Sequence, residues 1–180
     1  EFGIENNLKL KHVLKPLEFI DKPGLQAIVF EDNELKSLSE YIPDEGLELG
    51  VFLALAIKLT EAISDLHNQK IIHKDIKPSN ILVDSNMNIL ISDFGSATQL
   101  EANQISEPSN SILEGTLAYI SPEQSGRINQ DIDQRSDLYS LGIVFYQMLT
   151  GNVPFTSMNQ MELVHAHIAK RPKPLSEIII

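Results

Sequence analysis

Apolar residues recur at helical spacing from Gly50 to Asn68, where Phe52, Leu55, Ala56, Leu59, Ala62, Ile63 and Leu66 make one face of a long predicted helix. A second apolar helix is expected from Ser136 to Leu149, closed by Gly151 and Pro154, and a third from Met158 to Lys170, stopped by Pro172. Val13 to Ile20 and Leu25 to Phe30 read as two strands joined by the Asp21-Lys22-Pro23-Gly24 turn. Two further short strands fall at Ile81 to Val83 and Ile89 to Ile91, linked through polar Asp84-Ser85-Asn86. Residues 1 to 10 read as the last turns of a helix with Ile4 and Leu8 on one face, and Glu34 to Tyr41 as a short helix before a break at Pro43 to Gly46. Leu100 to Glu114 has no periodicity and many Ser, Asn and Glu residues, so it is a loop of the length that tends to carry function. Helices dominate the second half.

Composition narrows the function classes. A chain of 180 residues with 42% hydrophobic residues can bury one core. Interspersed charges with 25 acidic against 14 basic residues give a net charge of −11, which argues against a broad nucleic-acid-binding surface. With no cysteine there is neither a disulfide framework nor a thiolate metal site. The apolar stretch Leu49 to Ile57 is too short to span a bilayer, no secretory signal is legible, and a cytoplasmic location is expected. Both ends, at Glu1 and at Ile178-Ile179-Ile180, are expected to be cuts inside something larger. His165 and His167 stand two apart on a helix and do not face each other, so no shared metal is expected there.

Three polar clusters interrupt the pattern in order. His73-Lys74-Asp75-Ile76-Lys77-Pro78-Ser79-Asn80 lies between the long helix and a strand, Asp93-Phe94-Gly95 follows the second short strand, and Gly115-Thr116 leads to Ser121-Pro122-Glu123. Alone, a His-x-Asp or an Asp-Phe-Gly reads as a turn. Together, in this order, they resemble the catalytic-loop, Asp-Phe-Gly and Ala-Pro-Glu signatures of the protein kinase family.

That resemblance implies an α+β, protein-kinase-like fold, mostly the helical C-lobe with the last strands of the N-lobe. Residues 1 to about 33 would be the N-lobe remnant and hinge, and about 34 to 180 a C-lobe truncated at its end. Phosphoryl transfer needs in-line positioning and charge neutralisation more than covalent help. In the family roles, Asp75 would orient the substrate hydroxyl and accept its proton, with Lys77 placing a compact positive charge near the transferred phosphate. Asn80 and Asp93 would give oxygen ligands to Mg²⁺. Leu82 would floor the adenine of ATP, and Phe30-Glu31-Asp32-Asn33 would meet its edge through backbone groups. His73 and Phe94 would stack in the apolar column between the lobes, beside Gly95, and Asp137 would brace the catalytic-loop backbone. Glu123 would pair with an arginine beyond Ile180. Lys77, with Thr116 in Gly-Thr-x-x-Tyr, implies protein substrates with Ser/Thr acceptors rather than Tyr.

A narrower resemblance rests on the His73 to Leu82 stretch, on Glu114 to Gln124 and on Glu162 to Lys170. They are similar to the N-terminal kinase domain of large bacterial signalling proteins that continue into an ATPase-like module, a GAF sensor and often a histidine kinase. The family's Gly-rich loop and strand lysine would then lie before residue 1, so this span alone is expected to bind ATP weakly and to be inactive. Glu1 has two open readings: the helix glutamate that pairs with that lysine, or an ordinary exposed glutamate. Glu5 is a charge where the family carries an apolar residue. Lys74 replaces the usual Arg before the catalytic Asp and, as a point charge, grips phosphate less well; this argues against control by activation-loop phosphorylation, although Ser106, Ser109 and Ser111 are acceptors. The alternative function is a catalytically inactive pseudokinase serving as a regulatory binding module.

Overall fold

A computed structural model describes residues 10–31, 34–99 and 116–178. The first elements among the described residues are a hairpin, β1 (Pro16–Lys22) and β2 (Leu25–Phe30), antiparallel and turned at Gly24 with φ +81°. The first strand starts later than its apolar run suggests. Val13 is bridged to Ile91 instead, with Leu14 N–H donating to Ile91 O at 2.9 Å and Ile91 N–H to His12 O at 2.8 Å.

The expected helix from Glu34 is shortened to α1 (Leu38–Tyr41), preceded by β3 (Lys36–Ser37). Two local facts explain the correction. Glu34 has φ +52°, outside the helical region, and Ser37 caps the helix in a reciprocal box with Glu40. Pairing of β3 with β5 (Ile81–Val83) then claims Lys36 and Ser37 for a sheet.

The long helix α2 (Leu49–Asn68) buries Leu55, Ala56, Leu59, Ala62, Ile63 and Leu66, the stripe its periodicity predicts. It packs against α3 (Gln134–Thr150), where the Phe52 and Phe145 rings meet edge to face with centroids 5.6 Å apart. Between them run β4 (Ile71–Ile72), β5, β6 (Ile89–Ile91) and β7 (Thr98–Gln99). Strands β3, β5 and β6 form one antiparallel sheet, and β4 pairs with β7 in another. Asp84 turns the β5–β6 hairpin by accepting from the N–H groups of Asn86 and Asn88, and Lys58 of α2 donates to Met87 O at 2.7 Å, tying the hairpin to the helix.

The main core joins α1, α2, β4 to β6, Phe94 and the apolar side of α3. A smaller core, Leu117, Ile120, Phe155, Leu163 and Ala166, holds α4 (Gln160–Ala169) to the 3₁₀ turn Thr116–Tyr119. Helix α3 is unusual in burying Ser136, Asp137 and Ser140 beside its apolar residues. A buried polar face must be matched by partners. Those partners are the loop after β4 and the Tyr119–Glu123 segment.

Candidate active site

The loop after β4 is built on Asp137, whose side chain is fully buried (0% exposed). Its carboxylate accepts from the backbone N–H of His73 at 2.9 Å, the N–H of Lys74 at 2.8 Å and His67 Nε2 at 2.9 Å. Three donors stabilise a buried carboxylate that would otherwise be costly to desolvate. Lys74 stands at φ +66° and Asp93 at φ +65°, a region side-chain-bearing residues seldom occupy and functional loops often do.

On this base the loop gathers Asp75, Lys77 and Asn80. Lys77 Nζ lies 2.6 Å from Asp75 Oδ2, and Asn80 Nδ2 donates to the same oxygen at 3.0 Å and to Asp75 O at 2.9 Å. The Asp75 and Lys77 side chains are 13% and 18% exposed, enough for a reactant to reach and little enough to limit screening. The next strand pair is pinned to the loop through Ser92, whose N–H and hydroxyl both donate to Asn80 O, at 2.9 and 3.1 Å. Asp93, exposed, therefore follows directly on a residue bonded to Asn80.

His73 closes the group from beneath. Its Nδ1 accepts from Asp75 N–H at 3.3 Å and its Nε2 donates to Ser92 O at 3.1 Å, which is the neutral tautomer. Burial holds its pKa below the ordinary histidine value against the pull of Asp137, Asp75 and Asp93. The ring meets Phe94 edge to face, centroids 4.8 Å apart. Lys74 donates its Nζ to Thr98, and partial burial lowers its pKa as well.

The structure thus brings Asp75, Lys77 and Asn80 into direct contact and ties His73, Lys74, Phe94 and Asp137 to the same loop, while Asp93 and Gly95 are exposed residues of the segment that follows Ser92. Glu123 sits apart, accepting from the Ser136 hydroxyl. Phe30 ends β2, exposed Glu31 follows it, and half-buried Leu82 pairs with Ser37 and Leu90; all three lie outside the hydrogen-bonded group. Glu1, Asp32, Asn33, the Thr116 side chain, Ser106, Ser109 and Ser111 lie outside the described residues. Sequence reasoning missed His67, Ser92, Gln124 and Ser136, whose partners are distant in the chain. Only the position of Gln124 directly after Ser121-Pro122-Glu123 hinted at a role.

Among the described residues no group of three or more His, Cys, Asp or Glu could cage a metal. Asn80 carries an amide oxygen and Asp93 a carboxylate, the hard oxygen donors that an ion such as Mg²⁺ takes. No described helix is long and apolar enough to cross a membrane.

The model of the protein kinase domain family matches residues 1–178, and the chain belongs to that family. It is 36% identical over 96% of its length to a probable serine/threonine-protein kinase of Clostridium perfringens, covering 25% of that protein. It is 39% identical over 82% of its length to serine/threonine-protein kinase PrkC of Bacillus subtilis (22% of that protein), and 36% identical over 89% to PknB of Mycobacterium tuberculosis (23%). The chain thus spans about a quarter of the length of the relatives it matches.

Proposed function

We propose that this region is the catalytic part of a serine/threonine protein kinase, transferring the γ-phosphate of ATP to Ser or Thr hydroxyls of protein substrates. The observation that carries it is the Asp75 carboxylate, held by Lys77 and Asn80 on a loop whose backbone Asp137 clamps. The bacterial relatives named serine/threonine-protein kinases support the same reading. Residues 1–33 are read as the end of the N-lobe and the hinge, and 34–180 as C-lobe, one unit of a longer signalling protein.

With Oδ2 occupied by two donors, Asp75 Oδ1 is the oxygen to receive the acceptor hydroxyl's proton. The hydroxyl oxygen forms a bond to the γ-phosphorus, the bond from that phosphorus to its bridging oxygen breaks, and ADP leaves with the bonding pair. Lys77 offsets charge on the moving phosphoryl group, at the cost of no reorganisation because Asp75 already holds it. Mg²⁺, held by Asn80 and Asp93, would supply charge neutralisation to the phosphates. His73 and Asp137 keep Asp75 in orientation.

The test is paired and uses the full-length protein. Asp75→Asn is expected to lower phosphate transfer about 10²–10⁴-fold, the usual worth of general acid–base help, with nucleotide affinity nearly intact. Asp93→Asn is expected to weaken Mg²⁺-dependent nucleotide binding as well as turnover. Wild type that binds nucleotide or a partner without transferring phosphate would instead favour a regulatory binding module.

A further inference from the structure

Gln124 has no part in the reaction as proposed, yet both ends of its carboxamide are engaged. Oε1 accepts from the Ser121 N–H at 3.1 Å and from the Ser121 hydroxyl at 2.8 Å, while Nε2 donates to Lys74 O at 2.7 Å. A backbone N–H can only donate and a carbonyl only accept, so these partners fix which way the amide faces. The frame is firm: Ser121 is fully buried, and Gln124 sits in the 3₁₀ turn Glu123–Ser125 with its own N–H on Ser121 O at 3.1 Å.

The receiving carbonyl is the informative one. Lys74 O and Asp75 N–H are the two ends of one planar peptide unit, so a bond that fixes the carbonyl fixes the N–H. That N–H points at His73 Nδ1, and Asp75 bears the proposed catalytic carboxylate. Asp137 holds the two preceding peptide units through His73 N–H and Lys74 N–H. Gln124 holds the third, on a loop residue whose φ of +66° favours no resting place of its own.

We propose that Gln124 is a positioning residue for phosphotransfer, locking the Lys74–Asp75 peptide and thereby coupling the Ser121–Ser125 segment to the orientation of Asp75. The inference rests on the kinase reading above.

Gln124→Glu separates the two ends of the side chain. A glutamate still accepts from Ser121, but toward Lys74 O it offers a donor only when protonated. In the full-length protein, single-turnover phosphate transfer from ATP to a peptide carrying Ser and Thr is expected to fall roughly 10- to 100-fold at pH 8, the cost of small misplacement. Nucleotide affinity and melting temperature are expected to stay near wild type. The variant-to-wild-type rate ratio should rise as pH falls through the carboxyl's titration, because the neutral acid again donates to Lys74 O. Gln124→Leu should show the loss without the recovery. A flat ratio for Gln124→Glu, or wild-type rates in it, overturns the inference; so does a parallel loss of nucleotide binding, which marks a merely structural role. If the Leu variant does not fold, the pH ratio of the Glu variant decides alone. Absence of transfer in wild type removes the kinase reading and this inference with it, an outcome distinct from failure of the variants.

Discussion

Two histidines, His73 and His167, are buried. His73 donates from Nε2 and accepts at Nδ1, so a second proton would cost it the bond from Asp75 N–H. His167 lies buried against Tyr139 and Phe155, and burial lowers its pKa just as it pushes the Tyr139 phenol up to about 12. For a histidine whose folded pKa lies below its unfolded value of 6.5, the unfolded chain takes the proton first. Their contribution to stability is therefore intact above about pH 6.5 and is lost as pH falls from there toward the folded values. Melting temperature followed from pH 8 to pH 5 should drop, and His73→Gln and His167→Gln should each flatten that drop. A slope equal to wild type in both variants would rule out these residues as its source.

At the scale of elements, the end of α3 and the loop after α1 are fitted by two glycines, each set against the main chain of the opposite segment. A Cβ on Gly151 (φ +74°) would lie 1.9 Å from Asp44 O, and one on Gly46 (φ +85°) would lie 2.2 Å from Leu149 O. Neither obstacle is a flexible side-chain tip; both are main-chain carbonyls. Leu47 N–H donates to Met148 O at 2.7 Å across the same junction. Gly126 has a similar φ of +66° but nothing within 4 Å of its would-be Cβ. Gly126→Ala is thus expected to cost only the left-handed backbone penalty, about 1–2 kcal/mol. Gly151→Ala should cost clearly more, because α3 must also move from the loop. Denaturant unfolding of the two variants checks it, and equal costs would refute the close-approach account.

The two cores divide the whole molecule unequally. The larger one clamps α2 and α3 around β4 to β6, whereas the small cluster around Phe155 and Leu163 joins α4 to the Thr116–Tyr119 turn, with Tyr119 and His167 bonded to α3. Few buried apolar contacts mean a lower local opening free energy. Native-state hydrogen exchange should show α4 and residues 116–120 opening together and faster than α2. Leu163→Ala should speed exchange at Leu117 and Ile120 while leaving the protected amides of α2 unchanged. If α2 accelerates in step, the two cores form one cooperative unit and the division is wrong.

By itself the sequence determined what depends on neighbours in the chain. Helix α2 follows from one apolar stripe, the β5–β6 hairpin from two apolar runs around Asp84, and the close of α3 from Gly151. The family, too, was legible, because its signature triplets are contiguous. The Ser37–Glu40 capping box that starts α1 at Leu38 is local, but only tertiary structure decided that Lys36 and Ser37 pair as a strand, because their partner lies on β5. It also decided that α3 buries polar Ser136 and Asp137 beside its apolar residues: they are hydrogen-bonding partners of Glu123 and of the Asp75 loop, and their polarity hides that in a hydropathy pattern. The contacts of His67 with Asp137, Ser92 with Asn80 and Gln124 with Lys74 leave no periodic trace for the same physical reason. A hydrogen bond between distant segments is specified by where the fold brings them, and no spacing along the chain encodes it.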